Sequence, residues 1–589
     1  MTQNNCMQRL ALSALMLSLI GNLHAASLPA VEASNAMVVS SQHLASKVGV
    51  DILKMGGNAV DAAVAVGYAQ AVVNPCCGNI GGGGFMTIHL ADGRDTFINF
   101  REKAPAAASA TMYLDASGNV IKNSSLHGYL AVGVPGTVLG LDTAQRRYGK
   151  LTRAQVMRPA IKLAREGFIL NRGDTDILDT SIALFKNDPE AARIFLRRDG
   201  SPLQPGDRLV QKDLARTLAA ISRNGPDAFY KGTIPVAVES AAKNGGGIIN
   251  AADFADYRIS ETTPVRCDYR GYVFLSAPPP SSGGATLCQI LNTLEGYDMK
   301  ALGFNSAASI HLMAEAMRHA FMDRNTFLGD PEFVSNPLER LLSKSYAASI
   351  REKISADRAT PSADVQPGMA PHEKPETTHY SIVDKFGNAV STTYTINGRF
   401  GAVVIAPGTG FFLNNEMDDF TVKLGVKNLY GLVQGATNSI APGKQPLSSM
   451  SPTLITRDGK IFMVLGSPGG SRIITITLET ALNVIDHGMT PQEAVDAPRV
   501  HQQWLPDEVY YETRGLSADT LKILRDMGYK MTEQTPWGAA ELIMIGVPGA
   551  AGVLAASSGN DGSVSGRVRP GFYYGANDGR RPAGAAMGY

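Results

Sequence analysis

Stretches with helical spacing of apolar residues alternate with strand-like runs along the whole chain, and no internal repeat is visible. Leu44, Val48, Ile52 and Leu53 recur at helical spacing and stop at Gly56-Gly57, which predicts a helix closed by glycine. Asn58 is placed to cap a second helix running through Asp61 to Val73. His311 to Phe327 reads as a third, with Leu312, Met313, Ala316 and Ala320 on one face. Its Glu315, Arg318, Asp323 and Arg324 are expected to form surface or interhelix ion pairs rather than to do chemistry. After Pro452 the pattern changes to short strands between glycine turns, Pro452 to Thr456 and Lys460 to Leu465.

The sharpest change lies at Thr377. From about Ser355 to Glu376 the chain carries four prolines, scattered charge and almost nothing apolar, so it predicts an exposed, mobile linker. Tyr380, Ile382 and Val383 then lead into a turn at Asp384-Lys385-Phe386-Gly387-Asn388, with Ala389 to Ile396 as hairpin partner. Taken alone, this describes an ordinary loop-to-strand junction. If the chain were cut before Thr377, however, that residue would carry both a hydroxyl nucleophile and a free amine.

Composition narrows the chemistry. With 589 residues, 44% hydrophobic and 18% charged, the chain is globular and large enough for a thick core or two closely joined subunits. A net charge of +1 gives no electrostatic reason to expect nucleic acid or an anionic membrane, and a small ligand is the better expectation. Arg9, the apolar run Leu10 to Ile20 and Leu23-His24-Ala25-Ala26 fit a secretory signal over residues 1–25, cut after Ala25. No later stretch has the roughly 18 uninterrupted apolar residues of a membrane span, so the expected product is exported, periplasmic or secreted, without a membrane anchor. In an oxidising compartment Cys267 and Cys288 could pair, whereas the adjacent Cys76 and Cys77 are read as free thiols. No Cys/His cluster has metal-ligand spacing, and neither a metal nor another cofactor is expected.

Two glycine clusters stand out. Gly81-Gly82-Gly83-Gly84 lacks the lysine and hydroxyl of a phosphate loop, so close backbone packing is its expected role. Gly466-Ser467-Pro468-Gly469-Gly470-Ser471 has the small residues of a turn whose amides converge on an oxyanion, but it is not a nucleophile-elbow serine motif.

Taken in order, Gly56 to Ala63, Gly81 to Phe85, Asn99-Phe100-Arg101-Glu102, Pro278 to Gly284, Asp323-Arg324, Leu328 to Pro331, Thr377 to Tyr380, Asn414 to Phe420, Pro446 to Pro452 and Gly466 to Ile473 closely resemble the motifs of the gamma-glutamyltranspeptidase (glutathione hydrolase) family. The resemblance runs from about Val38 to Tyr589. It implies a mixed α/β (α+β) fold, the four-layer αββα sandwich of the N-terminal nucleophile hydrolases, formed jointly by two autoprocessed subunits. The implied cut is Glu376-Thr377, giving a large subunit of residues 26–376 and a small catalytic subunit of residues 377–589, which stay together as a heterodimer.

The same resemblance makes Thr377 the nucleophile, with Thr395 orienting its hydroxyl and the amides of Gly469 and Gly470 at the oxyanion. Arg101, Ser448 and Ser449 would hold the α-carboxylate of a gamma-glutamyl group, and Asn397, Glu416 and Asp419 its ammonium. The implied substrates are glutathione and other gamma-glutamyl compounds, with water, amino acids or dipeptides as acceptors. The run from Lys427 through Tyr430 to Lys444 aligns as a lid, and Gly546 to Arg569 looks like an inserted surface loop. The rival readings are a glutaryl-cephalosporin acylase of the same superfamily and, more remotely, an exported binding protein without chemistry.

Overall fold

A computed structural model describes residues 27–365, 377–553 and 568–589. The proposed signal segment, Glu376 and the middle of the 546–569 insertion lie outside these residues.

Two seven-stranded sheets face each other. The first runs, in spatial order, Ala585–Gly588, Met37–Ser40, Thr378–Val383, Ala389–Thr395, Gly83–His89, Asp95–Phe100, Ser260–Thr262. The second runs Val31–Ala33, Tyr573–Asn577, Glu541–Ile545, Lys460–Leu465, Thr453–Arg457, Tyr272–Ser276, Val265–Tyr269. Met37, Val39, Val383 and Ala389 from one sheet meet Leu275, Leu454, Val464 and Ile543 from the other in a buried apolar layer. Helices His43–Lys54 and Ala59–Val73 cover the outer face of the first sheet, and Gly283–Leu294, Ala307–Phe327 and Ile473–Ile485 that of the second. The expected αββα order of layers is thus observed. Both sheets draw strands from either side of residue 377, so neither half could hold its sheets alone.

Local chemistry explains the elements nearest the site. Asn58 accepts from the Asp61 amide while the Asp61 carboxylate accepts from the Asn58 amide, a reciprocal cap that starts the Ala59–Val73 helix. All fifteen residues of that helix are buried, because other helices cover the side that the sheet does not. The hairpin pairs Thr378 with Tyr394 and Val383 with Ala389 around the Asp384–Asn388 turn, where the Asp384 carboxylate accepts from the Asn388 amide. Gly82 passes so close to the neighbouring strand end that a Cβ there would stand 1.9 Å from the Thr395 carbonyl oxygen. The packing role expected for the glycine run holds.

Several expectations need correction. Residues 355–365 do not wave free: Ser362 is buried, its amide donates to Asp507 at 2.7 Å and its hydroxyl to the Trp504 carbonyl at 2.6 Å. A few well-placed hydrogen bonds tether a segment that has little apolar surface of its own. Cys76 and Cys77 are joined to each other rather than free, in a buried turn that sets them side by side. Cys267 and Cys288 are also joined, tying the edge strand Val265–Tyr269 to the Gly283–Leu294 helix. The polar residues of the Ala307–Phe327 helix are buried, not on the surface, because that helix is packed on nearly every side. Glu315 and Arg318 do pair, but Asp323 accepts from Gln289 and Tyr346, and Arg324 turns toward the site. Val547, Ala550 and Val568 anchor the ends of the 546–569 insertion in the core, so its described part is not a plain surface loop. Among the described residues no helix is long and apolar enough to cross a membrane.

Candidate active site

Thr377 sits just before the central strand Thr378–Val383, and its hydroxyl lies 3.5 Å from that of Thr395, the last residue of the neighbouring strand. The Thr395 hydroxyl accepts from the Asn397 amide at 2.8 Å, which holds it beside Thr377. Asn397 has a positive φ of 70° and is locked by its side-chain amide donating to the Asn415 carbonyl. The neighbouring His379 is held by Thr393 and Ser381, and burial lowers its pKa to about 3, so it stays neutral.

Thr377 opens into a pocket of about 290 Å³. Thr395, Asn397, Arg101, Glu416, Asp419, Ser448, Ser449 and Gly470 all line it, so sequence-distant residues expected to act together are brought together. Gly469 lies one residue away, on an adjacent cleft. The loop is strained toward glycine, with φ of 148° at Gly469 and 56° at Gly470. A Cβ on Gly470 would stand 2.3 Å from the Tyr430 ring. This turn leads straight into the buried Ile473–Ile485 helix, whose N-terminal end adds a partial positive charge.

The charged part of the pocket holds both signs. Arg101 is buried and bonds to Glu416 and, at 2.5 Å, to Asp419, with Glu102 3.6 Å away. Burial works against its charge, but the three carboxylates outweigh it and hold the guanidinium above its usual range. Burial also raises Glu102 to about 7 and pushes Glu416 well up, despite the pull of Arg101. Glu416 Oε2 and Asn397 Oδ1 are buried acceptors without a hydrogen-bond partner among the described residues. Such groups cost about 1–3 kcal/mol or more each while unmatched, so the pocket is built to receive donors.

Two residues were missed by sequence reasoning, Arg324 in the pocket wall and Glu102 behind Arg101. Arg324 donates to Ser449 at 3.0 Å and to Ser282 at 2.9 Å, and burial lowers its pKa to about 10. Glu102 was visible in the Asn99–Glu102 motif, and Arg324 in Asp323-Arg324, but neither motif reveals which way the side chain points. Tyr430 roofs the pocket and donates to the Asn397 carbonyl at 2.8 Å, while Asn428 holds the Tyr430 amide. The lid expected over 427–444 therefore lies across the site at its Tyr430 end.

Residues 45–565 match the model of the family described as Gamma-glutamyltranspeptidase. The chain belongs to that family. It is 58% identical over 568 residues to the glutathione hydrolase proenzyme of a Pseudomonas strain, covering 96% of each chain. It is 50% identical to the Escherichia coli K12 glutathione hydrolase proenzyme, covering 88% of this chain and 90% of that one. Among solved structures, the cephalosporin acylase of Bacillus halodurans superposes with a TM-score of 0.79 at 25% identity, covering 97% of this chain and 98% of the other. The gamma-glutamyltranspeptidase family thus accounts for nearly the whole described fold, and the protein is an enzyme of that family.

Proposed function

We propose that the protein cleaves gamma-glutamyl amides such as glutathione by a two-step acyl transfer through Thr377, after a self-cleavage at Glu376-Thr377. The observation that carries this reading is the pairing of the Thr377 hydroxyl with a pocket containing both a buried arginine and buried, donor-hungry acceptors. A zwitterionic amino-acid head fits such a site. Its carboxylate is assigned to Arg101 with Ser448 and Ser449, and its ammonium to Asn397, Glu416 and Asp419, where it supplies the missing donors.

The chemistry then follows from the residues. The α-amino group exposed by cleavage titrates near 7.7–8.0 in model compounds and takes the Thr377 hydroxyl proton at neutral pH, so no histidine base is needed. The hydroxyl attacks the gamma-amide carbon, and the developing oxyanion is stabilised by the Gly469 and Gly470 amides at the helix N-terminus. The C–N bond breaks and the amine leaves with a proton, giving a threonyl ester. Water, or the amine of an amino acid or dipeptide, then attacks that ester and returns the proton to Thr377. The subunits of residues 26–376 and 377–589 remain a heterodimer because their strands interleave in both sheets. Residues 1–25 direct export to the periplasm or beyond.

The likeness to a cephalosporin acylase raises a second reading, hydrolysis of a glutaryl amide. A glutaryl head lacks the ammonium and would leave Glu416 and Asn397 unmatched, which favours gamma-glutamyl. Purified protein should run as two fragments, the smaller beginning at Thr377, and should turn over a gamma-glutamyl anilide at least about 100-fold better than its glutaryl analogue. An intact chain, or the opposite preference, contradicts the reading.

A further inference from the structure

The pocket wall holds two buried guanidiniums, and only one of them is neutralised. Arg101 faces Glu416, Asp419 and, at 3.6 Å, Glu102. Among the described residues Arg324 is bonded to neutral groups alone. Its Nε donates to the Ser282 hydroxyl at 2.9 Å, Nη1 to Asn325 Oδ1 at 2.8 Å and Gln434 Oε1 at 3.2 Å, and Nη2 to the Ser449 hydroxyl at 3.0 Å. Burial, with Arg101 repelling it, lowers its pKa to about 10 against the pull of Asp419, so it stays charged at neutral pH. A buried cation held only by neutral partners lacks its counter-ion.

Every nitrogen of this guanidinium is engaged, so its charge reaches a ligand through the serines it holds. The Ser449 oxygen accepts from Arg324, and the Ser448 oxygen accepts from the Met450 amide at 3.1 Å. Among the described residues neither hydroxyl proton has an acceptor in the protein, so both are available to an anion in the pocket. Arg324 also fixes the backbone at Ser448, because Ser282, which accepts from Nε, donates to the Ser448 carbonyl at 2.7 Å. On the other side Gln434, which accepts from Nη1, donates to the Asp419 carbonyl at 2.9 Å. The last turn of the buried Ala307–Phe327 helix carries Arg324 and gives this network a rigid base.

We propose that Arg324 is a positioning and specificity-determining residue of the transfer: it holds the Ser448 and Ser449 hydroxyls toward the substrate α-carboxylate and supplies the surplus positive charge that makes this end of the pocket require an anion. The inference rests on the gamma-glutamyl reading above. Arg101 does not supply that surplus by itself, because its own acids offset it. Placing the carboxylate places the gamma-carbonyl against Thr377, so an error at one end of the head group is passed to the reacting carbon.

The test uses the full-length processed enzyme and three p-nitroanilides: the gamma-glutamyl compound, the 4-aminobutyryl compound, which lacks only the α-carboxylate, and the glutaryl compound, which lacks only the ammonium. For Arg324→Gln, kcat/KM should fall about 100-fold for gamma-glutamyl, mainly through KM, and less than about threefold for 4-aminobutyryl, so that the preference for the carboxylate collapses. Arg324→Lys keeps the charge but not the fork that spans Ser282 and Ser449, and should recover about tenfold of that loss. Ser282→Ala cuts only the link to Ser448 and should lower the preference about threefold, which decides the matter if the Gln variant does not mature. Equal losses on the two substrates in Arg324→Gln would mark a merely structural arginine and overturn the proposal, as would an unchanged preference in Ser282→Ala. A wild-type enzyme that turns over the 4-aminobutyryl or glutaryl compound as well as the gamma-glutamyl one would instead overturn the reading on which it rests.

Discussion

The pocket and the cleft hold arginines in opposite ways. Arg101 is buried among three carboxylates, and Arg324 is buried among hydroxyls and amides, so both guanidiniums are fixed before any ligand arrives. Arg399 and Arg581 stand at the margin of an open space that no acid lines among the described residues. A buried charge that loses its partner is expensive, whereas an exposed one is screened by water and salt. The lesson is that the pocket holds its charges in a fixed balance, whereas the cleft presents arginines beside an open space.

The largest effect expected on this contrast is that of Thr377→Ala, which removes the hydroxyl nucleophile and should lower turnover of every substrate by about 10⁵-fold or more, measured by single-turnover assay with a gamma-glutamyl anilide. Next comes Arg101→Gln. It strands Glu416 and Asp419 in the interior and should cost about 10³-fold in kcat/KM for glutathione and anilide alike. Gly470→Ala sets a methyl group against the Tyr430 ring and tilts an oxyanion donor, so kcat should fall about 10²- to 10³-fold with a smaller change in KM.

How much of this was legible in the sequence differs between the two regions. The pocket is built largely from short motifs: Arg101, Thr377, Glu416, Asp419, Ser448, Ser449 and Gly470 each lie in one, whereas Thr395 and Asn397 lie outside them and were placed by the family resemblance. The strand pattern around Thr377 and the capping pattern at Asn58 were equally readable, because both depend on neighbours in the chain. Arg324 was misread because the helix that carries it is buried almost all round, and periodicity cannot say which polar side of such a helix meets a cavity. The docked Ser362 and the joined Cys76 and Cys77 were misread for a related reason: their partners or surroundings come from tertiary packing that composition does not encode. The cleft was invisible, since Arg399, Arg472 and Arg581 belong to segments that meet only in the folded chain.

The smallest effect concerns pH. Burial holds the Glu102 carboxyl up to about 7, above the ordinary 4.5, so the fold favours its protonated form. The stability this contributes is fully present below about pH 4.5 and is lost as pH rises through about 7. Glu102→Gln mimics the protonated state, and its Tm relative to wild type should become more favourable by about 1–3 °C between pH 5 and pH 8. A difference that stays flat or reverses over that range would show that Glu102 is already charged in the folded protein. An acid in the open cleft would show no such dependence.

The central claim is that one threonine, freed by a cut before it, carries the acyl group. Rapid acid quenching of the processed enzyme during turnover of a gamma-glutamyl anilide, followed by mass mapping of the peptides, tests it most directly. The expected product is a small fragment that begins at Thr377 and bears a single gamma-glutamyl ester on that residue. A chain still continuous across residues 376–377 that nonetheless turns over substrate, or an acyl group on any other residue, would contradict it.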